Sequence, residues 1–446
     1  MGRKNFVLGS KNVSLSLTTV TFACKQLIMK NFSLSEKIFI LFCFLLPFPL
    51  ALNISAGIDL PLIRILPLII FIFWLLDSLA KGKIEIDTRS RFFIFLFFLI
   101  WISFSYFWAD EKERALRKIG YFISFFPLYF PAYAFLKNTL TKNACFKAII
   151  GGALLSAIIG ISQFIFQFLI PFEKLSRFWF ENISPFILGR SFSALLADYP
   201  SLLVNVGGKT LLRSFGSFPD PHIFATFLLM VIPLAIFFHQ KFNSWFIIII
   251  FVLGILLSFS RAGYLALICG MIIFLIKNLN TDWQKSLSIL ILPKNSLKII
   301  SSLFAIVLFF SIPNPIVQRF FSSFNLQEGS NNGRITMWKE AWHALIENPI
   351  GGVGIGNFSY FIDQTSSYRN PIYAHNLFLD FGAETGFIGL ILTALLIITP
   401  IFSLRKSPWR KNPAALSLIF LLFFSLFESP FYSVSIFPLF LIYYAN

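Results

Sequence analysis

The chain has 446 residues, of which 57% are hydrophobic and only 13% charged, with a formal net charge of +17. Apolar runs of about 20 residues recur along it, which excludes a soluble enzyme and a barrel and requires a polytopic helical membrane protein. A basic balance elsewhere suggests nucleic acid, but here the basic residues gather between apolar runs on one side, so topology accounts for the charge and no nucleic-acid partner is expected.

In chain order the pattern predicts a cytoplasmic tail over residues 1–33 and then a single membrane domain over 34–446. The fold class is all-α, with twelve expected spans at 35–53, 60–80, 91–108, 118–136, 145–170, 219–238, 243–260, 262–277, 297–314, 382–403, 413–428 and 430–445. The first 30 residues lack a compact apolar core followed by a small-residue cleavage site, so no removable signal is expected. Met29 before the first span is a plausible alternative start. The cysteines at 24, 43, 145 and 269 avoid the expected outer loops, so neither a structural disulfide nor a cysteine metal cluster is expected.

Charge sets the orientation. With the N-terminus cytoplasmic, the inner segments carry nearly all of the +17, set against the acids Glu36, Asp77, Glu85, Asp87 and Asp282, and the outer segments are close to neutral. That is a positive-inside signature, with both termini in the cytoplasm. Two long intervals, 171–218 and 315–381, then lie on the outer face, the second being the large loop that carries most of the chemistry-bearing residues. The short turn SFSRAG at 258–263 reaches the same face.

Arg213 comes first among the candidate residues, in LLRSFGSFPDPHIF, where Gly216, Pro219 and Pro221 start a span and Asp220 can cap it. It reads either as a surface residue or as a cation at the mouth of a bundle cavity. Arg261 follows at a helix N-terminus. A cation at the positive end of a helix dipole is unfavourable unless an anion binds there, so a binding role is favoured over an arginine that snorkels to lipid headgroups. From Arg334 the sequence predicts an amphipathic helix, capped by Asn331 or Asn332 and stopped by Pro349. Arg334, Trp338, Ala341, Trp342 and Leu345 share one expected face, suited to the membrane interface. His343, between Glu340 and Glu347, reads as a solvated residue. The run GGVGIGNF at 351–358 follows a helix and not a strand, so it is no dinucleotide loop; a tight turn is favoured over an anion nest.

The sharpest residue is His375, in the sequence Tyr373-Ala374-His375-Asn376 just before the tenth expected span. Its ordinary pKa of about 6.5 suits a general base. Asn376 and Trp338 are supporting candidates. Glu384, at the start of that span, is an intramembrane acid and so a functional candidate that could orient a partner or stabilise an arginine.

SFSRAGYLAL, GRITMWKEAWHALIENPIGGVGIGNF and YAHNLFLDFGAETGFIGL, in this order, resemble the motif series of the O-antigen ligase and polymerase superfamily, and RSFGSFPDPHIFATFLLMVIPL is similar to it as well. The resemblance covers about 210–400. It implies about twelve transmembrane helices in the bacterial inner membrane, with a large periplasmic loop over the bundle. It also implies metal-independent, inverting transfer of a glycan from undecaprenyl pyrophosphate. Arg261 and Arg334 match positions held to grip the pyrophosphate, Arg213 matches a less secure motif, and His375 matches the histidine held to activate the acceptor hydroxyl.

The chemistry of the residues agrees with that implication. Guanidinium groups suit a pyrophosphate leaving group that gains negative charge. The acid-x-acid pairs, Glu85 with Asp87 and Glu111 with Glu113, are respectively cytoplasmic and a solvated charge run, so neither metal nor cofactor is assigned. The expected partners are the lipid-linked glycan donor, a lipid A-core or other glycan acceptor, and the bilayer. A ligase is favoured over a polymerase of the same superfamily, because no added outer domain interrupts the chain. A secondary anion transporter is the rival from another class, and a purely structural membrane protein is the third reading. No inverted repeat and no matched pair of broken spans supports transport.

Overall fold

The computed structural model describes residues 32–55, 58–197, 199–242, 245–286, 314–325, 329–368, 371–402 and 412–446, and these are mostly helical. Six helical stretches among them are long and apolar enough to cross a membrane: Leu62–Ala80, Ser90–Phe107, Lys112–Lys137, Thr139–Phe166, Pro221–Phe238 and Leu377–Ile401. Four further apolar helices are shorter, at Trp245–Leu257, Arg261–Ile273, Pro413–Ser425 and Ile436–Ala445. The expected span at 297–314, apart from its last residue, the expected alternative start at Met29 and nearly all of the 1–33 tail lie outside the described residues.

Helix α1 (Leu34–Leu45) begins at a capping box, in which the Ser33 hydroxyl accepts from the Glu36 N–H and the Glu36 carboxylate accepts from the Ser33 N–H. It ends well short of residue 53. Pro47 and Pro49 cannot continue a hydrogen-bonded helix, and the chain turns instead into an antiparallel hairpin, β1 (Ala51–Ser55) with β2 (Ile58–Pro61). Helix α2 is Leu62–Ala80 and α3 is Ser90–Phe104, extended by a tight turn over Ser105–Phe107. The fourth span starts earlier than expected, as α4 (Lys112–Phe125), and passes through a tight turn containing Pro127 into α5 (Tyr129–Lys137). Helix α6 (Thr139–Phe166) is capped by the side chain of Asn138.

The interval after α6 is folded, not a bare loop. It contains three short helices, α7 (Phe172–Phe178), α8 (Ser184–Leu188) and α9 (Arg190–Ala197), and a second hairpin, β3 (Leu203–Val206) with β4 (Lys209–Leu212). In β3 the buried Val204 and Val206 flank the exposed Asn205, the alternation of a half-buried strand; β4, KTLL, shows no such alternation, and neither strand was expected in a chain so rich in helix.

Helix α10 (Pro221–Phe242) is the centre of the bundle: 78% of its apolar window is buried, and it packs against α6, α11 (Trp245–Leu257), α12 (Arg261–Ser286) and α17 (Pro413–Ser425). The second long interval carries α13 (Pro315–Phe321), α14 (Gly329–Glu347) and α15 (Phe358–Ile362). Helix α14 starts at Gly329, ahead of the expected caps. Asn331 instead donates its side-chain N–H to the Ser322 carbonyl at 3.1 Å and to that of Asn325 at 2.7 Å.

The tenth expected span begins earlier, as α16 (Leu377–Ile401), and is broken within: Thr385 and Gly386 leave helical geometry, Gly386 with φ 70° and ψ −172°. The break is where the Gly351–Gly356 run packs. The Val353 N–H donates to the Ala383 carbonyl at 2.9 Å, and the Phe387 N–H to the Pro349 carbonyl at 2.8 Å. A Cβ on Gly386 would stand 2.1 Å from the Ile350 carbonyl oxygen, and one on Gly352 would stand 2.4 Å from the Glu384 backbone. Glycine is required on both sides of this contact. The run is thus a tight turn clasped against a broken helix. Helix α18 (Ile436–Ala445) closes the chain; its 10 residues rise about 15 Å, half the thickness of a bilayer core.

The buried stripe of α14 is Ala341, Ala344 and Leu345, packed toward α16. Trp342, expected on that face, is exposed and meets only the edge of Phe387 at 6.5 Å. The reason is geometric: small alanines let α14 approach the bundle closely, and Trp342, about a quarter of a turn from the centre of that stripe, falls outside the contact.

Candidate active site

Five segments converge at one end of the bundle: the approach to α10, the start of α12, the first turns of α14, the loop before α16 and the loop after α17. The approach to α10 turns at Gly216, whose φ is 60°, and Asp220 caps the helix by accepting from the N–H groups of His222 at 2.7 Å and Ile223 at 2.9 Å. The turn before α12 is anchored to the same segment, since the Ser214 N–H donates to the Leu257 carbonyl at 2.9 Å.

Arg213 is buried, and its donors are engaged: Nε bonds the Ser258 carbonyl at 2.7 Å and Nη1 the Ser201 carbonyl at 2.8 Å. Both terminal nitrogens stand 3.4 Å from His222 Nε2. Burial, chiefly, brings its pKa down to about 10, which leaves it charged at neutral pH. Arg319 on α13 is near enough to contribute to that lowering. Arg261 is the first residue of α12, is buried, and reaches the Ser322 carbonyl through Nη1 at 3.5 Å. That carbonyl also accepts from Asn331, which ties Arg261 to the start of the helix that carries Arg334.

Arg334 and His375 meet on one carboxylate, that of Glu428. His375 Nδ1 is 2.9 Å from Glu428 Oε2, Arg334 Nη2 donates to Oε1, and His222 Nδ1 approaches Oε1 at 3.4 Å. His222 Nδ1 also lies 3.0 Å from the Ser260 hydroxyl. Burial pushes the Glu428 carboxyl up, but Arg334, His222 and His375 outweigh it and hold the group well below the usual carboxylate range. The same pairing raises His375: the Glu428 charge is the largest cause, against burial and Arg334, which lower it. The His375 side chain keeps 45% of its surface exposed, so the imidazole is accessible from outside while Nδ1 is held from within.

Backbone strain marks the same place. Three non-glycine residues among those described occupy the left-handed region: Leu50, Phe259 and His375. Two of the three adjoin this site, Phe259 in the turn before Arg261 and His375 itself with φ 52°. Such conformations cost on the order of 1 kcal/mol or more, and persist where the surroundings over-determine them. For His375 the surroundings include Asn376, whose side chain accepts from the N–H groups of Phe378 at 3.0 Å and Leu379 at 3.1 Å and donates to the Leu426 carbonyl at 3.1 Å.

Trp338 packs on Phe427, with ring centres 6.4 Å apart, and its indole N–H is buried without a hydrogen-bond partner. Glu384 stands apart from His375. It is buried against Lys118, whose Nζ is 2.7 Å from both carboxylate oxygens and 3.9 Å from the centre of the Tyr432 ring. The cation it stabilises is therefore a lysine on α4. His343 is exposed and pairs with Glu347 at 3.3 Å, a solvated helix-surface contact.

Sequence reading missed Glu428 and His222. Glu428 had a legible signal, being the one charged residue between Asn412 and Asn446, and a single acid in an apolar run is a functional candidate by default. His222 gave a weaker one, since it sits in the first turn of a span, where a satisfied structural histidine is common.

The O-antigen ligase family matches residues 246–394. The matched region holds Arg261, Arg334, His375 and the glycine run; Arg213, His222 and Glu428 fall outside it. No curated protein matches the chain. The family match and the motif series within it support the resemblance of this chain to the O-antigen ligase and polymerase superfamily.

Proposed function

We propose that this membrane protein transfers a glycan from undecaprenyl pyrophosphate to an acceptor hydroxyl on the periplasmic side of the bacterial inner membrane, with inversion at the anomeric carbon. His375 is the general base. Its Nδ1 is committed to Glu428, so Nε2 takes the acceptor proton as the new glycosidic bond forms and the bond to pyrophosphate breaks. Arg261 and Arg334 grip the pyrophosphate and stabilise the charge it gains on departure, as bidentate cations suit phosphate oxygens. Arg213, behind them, adds positive field and fixes His222.

The observation that carries the reading is the shared carboxylate: one buried acid orients a base and holds an anion-binding cation beside it. Lipid A-core is the acceptor favoured here, which makes the protein ligase-like; a second lipid-linked repeat unit would make it a polymerase.

The test is glycan transfer in a deletion strain complemented with wild type or His375→Ala. The variant should insert normally and abolish transfer; full surface glycan would remove His375 from the mechanism. In the uncomplemented strain, long polymer retained on the carrier identifies a ligase and single retained repeat units a polymerase.

A further inference from the structure

We propose that Asp380 is a positioning residue, a buried carboxylate that fastens the His375 loop to the Glu428 loop and so sets the distance between base and orienting acid. It belongs to neither loop. It lies in the first turn of α16, is 1% exposed, and spends one oxygen on each loop. Its Oδ1 accepts the Ala374 N–H at 2.7 Å, immediately before His375. Its Oδ2 accepts the Ser429 hydroxyl, immediately after Glu428. The Asp380 N–H donates in turn to the Asn376 carbonyl at 2.9 Å, immediately after His375.

These bonds are placed where they matter. His375 holds a left-handed backbone conformation, φ 52°, that an unrestrained loop would leave, and the two peptide neighbours that fix it, Ala374 and Asn376, are both bound to Asp380. On the other side Ser429 is one bond from Glu428. Stacking of Tyr373 on Tyr432, 4.9 Å between ring centres, joins the same two loops further out. That contact is apolar and tolerates sliding, whereas two directed hydrogen bonds to one carboxylate do not.

The inference rests on the proposed role of His375, and the experiment separates the two. Purified wild type, Asp380→Ala, Asp380→Asn, Ser429→Ala, His375→Ala and the double variant Asp380→Ala/His375→Ala are assayed with lipid-linked donor and acceptor. An amide keeps both bonds: its oxygen accepts the Ala374 N–H and its NH2 donates to the Ser429 oxygen. Asp380→Asn should therefore stay within about threefold of wild type, while Asp380→Ala loses about 10- to 100-fold in kcat with donor KM nearly unchanged, the size expected for an ångström-scale misplacement of a base. Ser429→Ala, which cuts one bond, should fall between them, and stands in if Asp380→Ala does not accumulate in the membrane. The double variant should be no worse than His375→Ala, because a group acting through the histidine has nothing left to position.

Wild-type activity in Asp380→Ala alongside an inactive His375→Ala overturns the clamp and leaves the base in place. Equal losses in Asp380→Asn and Asp380→Ala overturn it too, since charge and not the pair of bonds would then be the requirement. An active His375→Ala overturns the parent reading.

Discussion

His375 and Glu428 lie 53 positions apart in the chain and share a 2.9 Å contact through Nδ1. The pairing decides which imidazole nitrogen is available to a substrate and at which pH. Because Glu428 raises the His375 pKa, the neutral form needed by a base appears at higher pH than for an ordinary histidine, and the acid limb of the rate profile should lie above about 6.5. Glu428→Gln removes the charge and should move that limb to lower pH, with a lower plateau from the less well held ring. A limb that stays in place under this substitution would detach it from His375. The stability sign follows separately: the charged pair contributes below the unfolded histidine pKa and its contribution fades as pH rises through the raised folded value.

Arg334 pushes the other way, lowering His375 and binding the same carboxylate. Arg334→Ala should therefore do two things at once: weaken donor binding about tenfold or more, as expected for loss of a charge-assisted phosphate contact, and shift the acid limb further up. Arg261→Ala should weaken donor binding with less movement of the limb, since Arg334 is the arginine that shares the Glu428 carboxylate with His375. Equal donor affinity in both variants, measured with the lipid-linked donor in detergent, would end the pyrophosphate assignment.

The break in α16 is a structural prediction independent of the chemistry. Gly386→Ala would set a Cβ 2.1 Å from the Ile350 carbonyl at a φ of 70°. It should cost about 2 kcal/mol or more from backbone strain and overlap, read as a lower melting temperature of the solubilised protein. Gly120→Ala, with nothing within 4 Å of the added carbon, is the control and should be neutral or slightly stabilising.

Much of this was legible in the residues. Apolar run length gives helices, the Asp220 cap and the paired prolines give the start of α10, and the glycine run gives a turn. The placing of Trp342 was not legible, because helical periodicity says which residues share a face and not how wide the contact is; the alanines of α14 narrowed it. Glu384 was legible as an intramembrane acid, but its partner Lys118 lies 266 positions away, and no local pattern encodes such a pairing. Glu428 was the costly omission. It is the last residue of the expected span 413–428, an isolated acid in an apolar run with no motif around it. The span at 35–53 failed on known grounds, since Pro47 and Pro49 are in plain view.

Lys118 and Glu384 give the sharpest test of what holds the His375 loop in place from behind. Both side chains are largely buried, 14% and 5% exposed, and Lys118 also lies over the rings of Tyr432 at 3.9 Å and Tyr373 at 5.7 Å. Removing one partner leaves the other charge buried and unpaired, at a cost of about 3–5 kcal/mol, whereas replacing both with apolar side chains of similar size is often close to neutral. Lys118→Met and Glu384→Leu should therefore each lower the melting temperature strongly, and the double variant should recover most of the loss. If the pair serves only the fold, the recovered double variant regains transfer along with stability. Recovery of stability without transfer would show that the lysine over the Tyr373 and Tyr432 rings also fixes the geometry of the loop that ends in His375.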